Sequence, residues 1–226
     1  MKELDPYRPL LKKISKHGYQ AYFVGGCVRN AYFKKKINDI DIATDAPIEK
    51  VVEIFSDRKL DKQGIAFFSV SFPYKSKTVT ITPFRQEGEY VKHRYPSEVS
   101  YTNNIEIDAQ RRDFTMNALY VDEHGEVFDF YDGLIHIKEK RLVSIKNADR
   151  SMSEDALRIL RALRFMAVFD LKLDESLSEA IDTHASLVHR LSRHSLNHEI
   201  EKLQEQATSD QQTQYYKSLI KYNIKI

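Results

Sequence analysis

The chain has 226 residues, of which 42% are hydrophobic and 30% are charged, and its formal net charge is +2. This composition is typical of a globular chain with one domain or two small ones, and no apolar run reaches the roughly 20 residues that span a bilayer. We therefore expect a cytoplasmic protein without a membrane partner, in which any basic surface comes from local clustering of lysines and arginines.

The first predicted elements are a helix, a strand and a second helix. Residues 7–18 have an amphipathic helical pattern that stops at Gly18, and glycine is typical of a helix end. The apolar run Tyr22–Val24 then predicts a strand, which the pair Gly25-Gly26 interrupts. Residues 28–36 can form the second helix, so the order is strand, glycine turn, helix.

The glycine turn has properties of an anion-binding site. Without a Cβ, Gly25 and Gly26 let the backbone approach a ligand closely, and the N–H groups at the start of the next helix favour an anion. Arg29, one turn into that helix, is placed to clamp phosphate oxygens. The alternative is a plain turn, which is the commoner meaning of such a pair. Cys27 is the only cysteine, and we interpret it as a packing residue rather than a nucleophile.

A second strand is predicted over residues 37–43, where Asp39 and Asp41 alternate with Ile40 and Ile42. With a side-chain period of two, both carboxylates face one side and both isoleucines the other. Carboxylates in a strand built for burial need a cation, and a pair of Mg²⁺ ions that also bind substrate phosphates would supply it. The alternative is a solvated loop or strand edge. The closeness of the glycine turn in sequence favours the metal site, because both would face one crevice.

The following residues predict a helix through Ile54-Phe55, with Asp45 as its cap and Pro47 in its first turn, and a hairpin of strands 67–72 and 78–84. With the two earlier strands, which are compatible with parallel pairing, these elements predict a small mixed sheet with helices on one face. The segment 86–96 is charged and aromatic but has no periodicity. We therefore expect a mobile loop, which is either a solvated connection or a lid over a ligand.

A further apolar run at 114–121 follows Arg112 and Asp113, and it contains Asn117. A neighbouring arginine and aspartate most often form a surface ion pair. From residue 149 onward glycine is absent and the pattern becomes helical. We therefore predict two domains, residues 1–148 with the sheet and residues 149–226 with helices only.

Charged residues mark one side of the helix predicted after Ser153. They are Glu154, Asp155, Arg158, Arg161 and Arg164. One interpretation is a solvent-facing side with a Glu154–Arg158 pair. The other is recognition of a nucleic-acid base by Asp155 and Arg158. A carboxylate that accepts from an amino group and a guanidinium that donates to a ring nitrogen fit cytosine and adenine, but not guanine or uracil.

Four separated motifs carry a resemblance to a known family. They are YFVGGCVRN, NDIDIATDAP, RRDFTMNALYVD and EDALRILRALRF, in this order within residues 15–205. With these motifs the chain resembles the bacterial class II tRNA nucleotidyltransferase and poly(A) polymerase family. The resemblance implies an α/β head of the nucleotidyltransferase type, with a small mixed sheet and helices, followed by an all-α neck.

The resemblance also implies an activity, its ligands and its site residues. The activity would be addition of C and/or A residues from CTP and ATP to the 3′ end of tRNA, with release of pyrophosphate and a two-metal Mg²⁺ site at Asp39 and Asp41. By the same resemblance Arg112 contacts the nucleotide, while Asp113 and Asn117 lie near its sugar or triphosphate. The nucleotide-binding residues would be Gly25, Gly26, Arg29, Arg112, Asp113, Asn117, Asp155, Arg158, Arg161 and Arg164.

Several alternatives stay open at this point. The rival activities are those of a poly(A) polymerase, of an enzyme that adds only part of CCA, and of a non-catalytic nucleotide- or RNA-binding module. Three departures from the family pattern bear on the site. Asn30 stands where the family usually has an aspartate, Tyr32-Phe33-Lys34 replaces a leucine-glycine run, and strand 78–84 carries Thr78, Thr80 and Thr82 in place of a third carboxylate.

Related enzymes continue into further helical domains beyond the length of this chain. We therefore keep three expectations for the polypeptide: a fragment that lacks a C-terminal body, a minimal enzyme, or one part of an assembly such as a homodimer.

Overall fold

The computed structural model describes residues 1–61, 64 and 68–226. Their contacts cluster into two units, each of which draws on several segments of the chain. The first unit comprises Met1–Gln86, Val99–Arg112 and Met116–Gly133, and the second comprises Glu87–Glu98, Asp113–Thr115 and Leu134–Ile226. The division into two domains at residue 148, which the sequence analysis favours, stays a prediction.

Short strands and helices alternate through the first two thirds of the chain, and helices dominate the last third. The strands are β1 Ala21–Val24, β2 Ile40–Thr44, β3 Val70–Tyr74, β4 Lys77–Pro83, β5 Arg85–Glu87, β6 Tyr90–Val91, β7 Tyr95–Pro96, β8 Val99–Tyr101, β9 Leu119–Val121, β10 Val127–Asp129, β11 Arg141–Leu142 and β12 Lys172–Leu173. The α-helices are α1 Arg8–Ser15, α2 Gly26–Tyr32, α3 Ile48–Ile54, α4 Ile105–Gln110, α5 Gly133–Lys138, α6 Ala148–Glu154, α7 Leu157–Phe169, α8 Glu175–His184, α9 Arg193–Gln206 and α10 Ser209–Lys221. Short 3₁₀ helices lie at Lys2–Tyr7, Thr115–Asn117 and Ala185–Arg190.

Within the described residues of the first unit, a 6-stranded sheet has the strand order β10-β9-β1-β2-β4-β3. The β2–β4 pair is parallel and the other neighbouring pairs are antiparallel. The predicted mixed sheet is therefore confirmed, as is the largely helical C-terminal region. The predicted hairpin is also present as β3 and β4, with Tyr74 paired to Lys77. Its predicted start at residue 67 lies outside the described residues.

The expected parallel compatibility of the first two strands is wrong, because β1 and β2 pair antiparallel, with Phe23 opposite Ile42. The cause lies in the connection between them. Helix α2 ends at Tyr32 rather than at residue 36, and Lys34, with φ at 52°, then turns the chain. The chain returns to the same end of the sheet, so β2 starts beside the last residue of β1.

Strand β2 is also shorter at its start than predicted. It begins at Ile40 rather than at residue 37, so Asp39 precedes the strand. The burial still alternates as expected from the period of two: Asp39 is exposed, Ile40 buried, Asp41 partly exposed and Ile42 buried. The alternation fixes the sheet side from which the carboxylates emerge.

The single helix predicted after Ser153 is in fact two helices, and this expectation was wrong. Helix α6 starts after Asn147, whose side chain accepts from the Arg150 backbone N–H, and it ends at Glu154. Asp155 is extended, with φ −139° and ψ 101°, and its carboxylate accepts from the Leu157 N–H at 3.0 Å. The aspartate thus satisfies a donor at the start of α7, which is why the chain can break there.

None of the helices among the described residues has both the length and the apolar character that crossing a membrane requires.

Candidate functional site

The antiparallel register brings the second aspartate to the glycine turn. A Cβ placed on Gly25 would lie 3.5 Å from Asp41 Oδ2 and 3.6 Å from Arg112 Nη1. Gly25 has φ at +70°, a conformation that residues with a side chain rarely adopt. The turn therefore needs glycine for its backbone, and it lies between a carboxylate and a guanidinium.

The second glycine meets another guanidinium. A Cβ on Gly26 would lie 3.6 Å from Arg29 Nη2 and 3.9 Å from Asp41 Oδ2. Helix α2 has only 7 residues, and a helix this short adds little dipole for an anion. Positive charge at the turn therefore comes mainly from Arg29 and Arg112. The start of helix α2, to which the sequence analysis also assigned anion binding, contributes less.

Arg29 is buried, with 6% of its surface exposed, and amide side chains fix its orientation. Its Nη1 donates to Asn117 Oδ1 at 2.8 Å, and its Nε and Nη2 donate to Asn30 Oδ1 at 3.1 and 2.9 Å. These partners are neutral, so these bonds orient the guanidinium without cancelling its charge. Arg29 is therefore suited to binding an anion such as phosphate.

Arg112 is oriented by a buried acid that sequence reasoning missed. Its Nε donates to Tyr120 Oη at 2.8 Å and its Nη2 to Asp108 Oδ2 at 3.1 Å. Asp108 is fully buried and also accepts from Arg111 at 2.8 Å and from Tyr120 Oη at 2.5 Å. A signal was present in the sequence, since Asp108 lies three and four residues before the two arginines on the same helical turn.

The same contacts control the ionisation of Asp108. Burial raises the pKa of its carboxyl, but Arg111, Arg112 and the Tyr120 hydroxyl outweigh burial and lower the pKa to about 2. Asp108 is therefore charged at neutral pH and holds Arg112 in place. Burial likewise raises the pKa of Cys27, to about 12, so the thiol is not a nucleophile at neutral pH and the packing interpretation holds.

Asp39 and Asp41 supply the oxygen donors that a hard divalent cation prefers. Asp39 is exposed and Asp41 partly exposed, so both can meet a cation and a substrate. Thr80 of β4 pairs with Asp41, so the neighbouring strand offers a hydroxyl at this register. Among the described residues, no group of three or more His, Cys, Asp or Glu side chains forms a metal site. A cation here would therefore take most of its ligands from substrate and water.

In the second unit, the charged side predicted for one helix is largely buried. Asp155, Arg158 and Arg164 are 9%, 4% and 2% exposed. The solvent-facing interpretation is therefore wrong for these three residues. The break at Asp155 and the packing of α7 put them among side chains from other parts of the unit.

Arg158 is held by a hydroxyl-rich set of partners. Its Nη1 donates to Ser151 Oγ at 2.9 Å, and its Nη2 donates to Tyr90 Oη at 3.0 Å. The guanidinium carbon lies 5.1 Å from the centre of the Tyr90 ring, within the range of a cation–π contact. Glu154 is 3.5 Å away. Arg158 therefore keeps a fixed position next to the helix break.

Asp155 makes its own ion pair. Its Oδ2 accepts from Arg94 Nη1 at 3.1 Å. Burial raises the pKa of the Asp155 carboxyl, and it outweighs the opposite effects of Arg94 and Arg158. A ligand that donates a hydrogen bond to Asp155 would therefore stabilise a carboxylate whose negative charge is disfavoured by burial.

The segment around Arg94 is more ordered than its sequence suggests. Residues 90–91 and 95–96 form β6 and β7, which pair antiparallel. His93 Nδ1 lies 2.6 Å from the Ser153 carbonyl oxygen, and the His93 carbonyl accepts from the Ala156 N–H at 3.0 Å. The prediction of a loop throughout this segment is therefore wrong, because the segment contains two paired strands and bonds to the α6–α7 break.

The two remaining arginines of α7 pair with acids. Arg161 donates to Asp113 Oδ2 through Nε at 2.8 Å and through Nη2 at 2.5 Å. Arg164 donates to Glu199 at 2.8 Å and to Gln206 at 2.9 Å. The latter bonds tie α7 to α9. They give Arg164 a packing role, and the nucleotide-binding role that the resemblance implies for it stays a prediction.

Comparison with known proteins gives a consistent result. The family model for the poly A polymerase head domain matches residues 21–143. A CCA-adding enzyme of Streptococcus uberis is 43% identical over 201 residues, which are 89% of this chain and 49% of that relative. A CCA-adding enzyme of Streptococcus pyogenes is 42% identical over 190 residues, 84% of this chain and 47% of that relative. The chain thus spans about half the length of the curated relatives it matches.

A solved structure shows the same fold. The crystal structure of the Bacillus stearothermophilus CCA-adding enzyme in complex with CTP superposes with a TM-score of 0.80 and 34% sequence identity. The match covers 88% of this chain and 48% of that chain.

Replacing Asp108 with asparagine should destabilise the protein in a pH-dependent way. The folded pKa of about 2 lies below the ordinary value of 3.8. Stability from this shift is therefore present above about pH 4 and is lost as the pH falls toward 2. At about 1.4 kcal/mol per pKa unit, the shift contributes roughly 2 kcal/mol at pH 7. We expect Asp108→Asn to lower the free energy of unfolding in urea by at least this amount at pH 7, and by less at pH 3.

The control is Asp57→Asn, since Asp57 makes an exposed pair with Lys13. This variant should unfold at nearly the same urea concentration as the unaltered protein. A stability loss in Asp108→Asn that stays the same from pH 7 to pH 3 would contradict the role of the charged carboxylate.

Proposed function

Because the chain belongs to the poly A polymerase head domain family, we propose that it is a metal-dependent RNA nucleotidyltransferase. It adds C and/or A residues from CTP and ATP to the 3′ end of tRNA and releases pyrophosphate. The relatives and the solved structure that resemble it are CCA-adding enzymes, which supports this reaction over other nucleotidyl transfers.

The proposal rests on the charged side chains that lie next to the turn at Gly25. A carboxylate of the Asp39–Asp41 pair and a guanidinium lie within 4 Å of the space that a Cβ would fill. Such a turn admits a phosphate close to the backbone, with cationic groups for its oxygens and a carboxylate for a cation. In our proposal Gly25, Gly26, Arg29 and Arg112 hold the triphosphate of the incoming nucleotide.

Asp39 and Asp41 would hold two Mg²⁺ ions, to which their carboxylate oxygens are suited. When bound, the ions would make the 3′ hydroxyl more acidic and offset the charge of the leaving pyrophosphate. Asn117 fixes Arg29 through a 2.8 Å bond, so it acts on the triphosphate by orienting that guanidinium. Asp108 does the same for Arg112.

In the second unit, Asp155 and Arg158 recognise the base in our proposal. The Asp155 carboxylate accepts from the exocyclic amino group, and the Arg158 guanidinium donates to the ring nitrogen. Cytosine and adenine both present this donor beside this acceptor, whereas uracil and guanine present a carbonyl and a protonated ring nitrogen. Asp113 and Arg161 form a pair that we assign to the sugar or the triphosphate, and Arg164 supports α7.

The reaction can be tested directly. The protein is incubated with Mg²⁺, each NTP in turn, and tRNA transcripts that lack the terminal CCA or end after its first C, its second C or its A. Ordered addition of two C residues and one A supports CCA addition. Repeated addition of A would indicate a poly(A) polymerase, and addition of only C or only A a partial activity. Binding of NTP without incorporation would indicate a non-catalytic module.

Replacing either metal-site aspartate should abolish transfer and leave the fold intact. We expect Asp39→Ala and Asp41→Ala to lower kcat by more than about 100-fold, since each removes ligands of ions that stabilise the reacting phosphate by several kcal/mol. Both side chains are at least partly exposed, so the melting temperature should change little. Asp57→Ala, which removes an exposed carboxylate of the same unit, is the control with unchanged activity. Near-normal incorporation by both site variants would rule out the metal assignment.

Changes at the base-reading pair should alter which nucleotide is used. Asp155→Asn replaces an acceptor-only group with one that can also donate, so use of UTP and GTP should rise relative to CTP and ATP. Arg158→Lys keeps the charge but loses the planar donor pair, and selectivity should fall by about 1–3 kcal/mol, or roughly 5- to 150-fold. The measurement is kcat/KM for all four NTPs on one tRNA primer.

Arg150→Ala is the control for this experiment, because Arg150 pairs with Glu154 in the same unit and is 67% exposed. It should not change nucleotide preference. If Asp155→Asn and Arg158→Lys also keep the normal preference, the two residues serve only the packing of the helix break.

A further inference from the structure

Three consecutive lysines, Lys34–Lys36, lie between α2 and β2, and we refer to them as the lysine loop. This is the one place in the sequence with three adjacent lysines. Lys34 and Lys36 are exposed and Lys35 is partly exposed. Lys36 lies three residues before Asp39 and Lys34 five residues before it, and these stretches span at most about 11 and 18 Å when fully extended. The lysines are thus held near the carboxylates that we assign to the reaction.

The backbone of the lysine loop is fixed from both sides. The Lys35 N–H donates to the Asn30 carbonyl at 2.9 Å, and Asn30 Nδ2 donates to the Lys36 carbonyl at 2.7 Å. The next residue, Ile37, is 5% exposed, and its carbonyl accepts from Lys77 Nζ. The three lysines therefore extend from a backbone segment whose position is fixed.

The three lysines form no ion pair within the part of the chain that the structure describes. Elsewhere, lysines of the first unit such as Lys13 and Lys50 do pair with acids. The net charge of the whole chain is only +2, so the lysine loop is a local excess of positive charge. Like charges on neighbouring residues repel one another, and an anion close to them offsets this repulsion.

We propose that the lysine loop binds backbone phosphates of the RNA whose 3′ end reacts at Asp39 and Asp41. This inference rests on the proposed function and names the part of the first unit that holds the acceptor strand. An ammonium group is a point charge that suits a phosphate without reading sequence. The position of the loop favours RNA over an acidic protein, because a strand that presents its 3′ end at the carboxylates must pass close by.

The test compares two variants that lose the same charge. In the first, the lysine loop is neutralised by Lys34→Gln, Lys35→Gln and Lys36→Gln together. In the second, Lys2, Lys12 and Lys16 are changed to glutamine. These three lysines also belong to the first unit and are exposed. The dissociation constant for a tRNA transcript that lacks CCA is measured from 50 to 200 mM KCl, together with that for CTP.

We expect the lysine-loop variant to bind this tRNA more weakly at 50 mM KCl. The slope of log K against log salt should be smaller by about 2–3, since each phosphate contact contributes roughly 0.7–0.9. Its affinity for CTP should stay unchanged, and KM for tRNA should rise while kcat at saturating tRNA is kept. The control variant should bind tRNA with nearly the slope of the unaltered protein.

Three outcomes would overturn the inference. Equal loss of tRNA affinity in both variants would show a general effect of net charge. An unchanged slope in the lysine-loop variant would place the acceptor strand elsewhere. Weaker CTP binding with unchanged tRNA binding would assign the lysines to the nucleotide. The proposed function is tested separately. If the unaltered protein binds tRNA but incorporates no nucleotide, the proposed function is contradicted. The comparison of the two variants still decides whether the lysine loop binds tRNA.

Discussion

The antiparallel pairing of β1 with β2 is the constraint on which the candidate site depends. It places the start of β2 beside the end of β1, so Asp41 meets the turn at Gly25. A parallel pair would carry the start of β2 to the opposite end of β1, and the carboxylate would be a strand length away from the glycines. The turn of the chain after α2, with Lys34 at φ 52°, is therefore as important for the site as the aspartates.

Burial then determines what the charged groups of the first unit can do. A guanidinium loses much of its hydration when it is buried, so it needs hydrogen-bond partners that fix it. Arg29 is fixed by two amides, Asn30 and Asn117, whereas Arg112 is fixed by the carboxylate of Asp108. The amides that orient Arg29 are neutral, whereas the carboxylate that orients Arg112 also partly offsets its charge. Burial thus sets the position of both guanidinium groups through partners within the first unit.

Much of this could be predicted from the sequence, because the relevant signals are local. The glycine pair marks the turn, the alternation around Asp41 marks the strand, and four motifs in order identify the family. The direction of β2 relative to β1 could not be predicted, since it depends on how a seven-residue helix and the coil after it reverse the chain. The spacing of Asp108 to Arg111 and Arg112 was visible in the sequence, but its burial was not, because an acid that follows an asparagine cap and precedes two arginines looks like an ordinary exposed helix residue.

The arginines of α7 show why spacing alone cannot assign roles. Steps of three residues advance by about 300° around a helix, so successive members of the stripe turn steadily and meet different neighbours. Arg158 meets Tyr90 and Ser151, Arg161 meets Asp113, and Arg164 meets Glu199. Burial lowers the pKa of Arg164, and Glu199 only partly offsets this effect. A ligand phosphate would have to displace Glu199 to reach that guanidinium. Arg158 is the second residue of α7 and follows the helix break at Asp155, which is why our proposal assigns base recognition to Arg158. The regular spacing that makes these residues look alike in the sequence thus gives each of them a different set of partners in the fold.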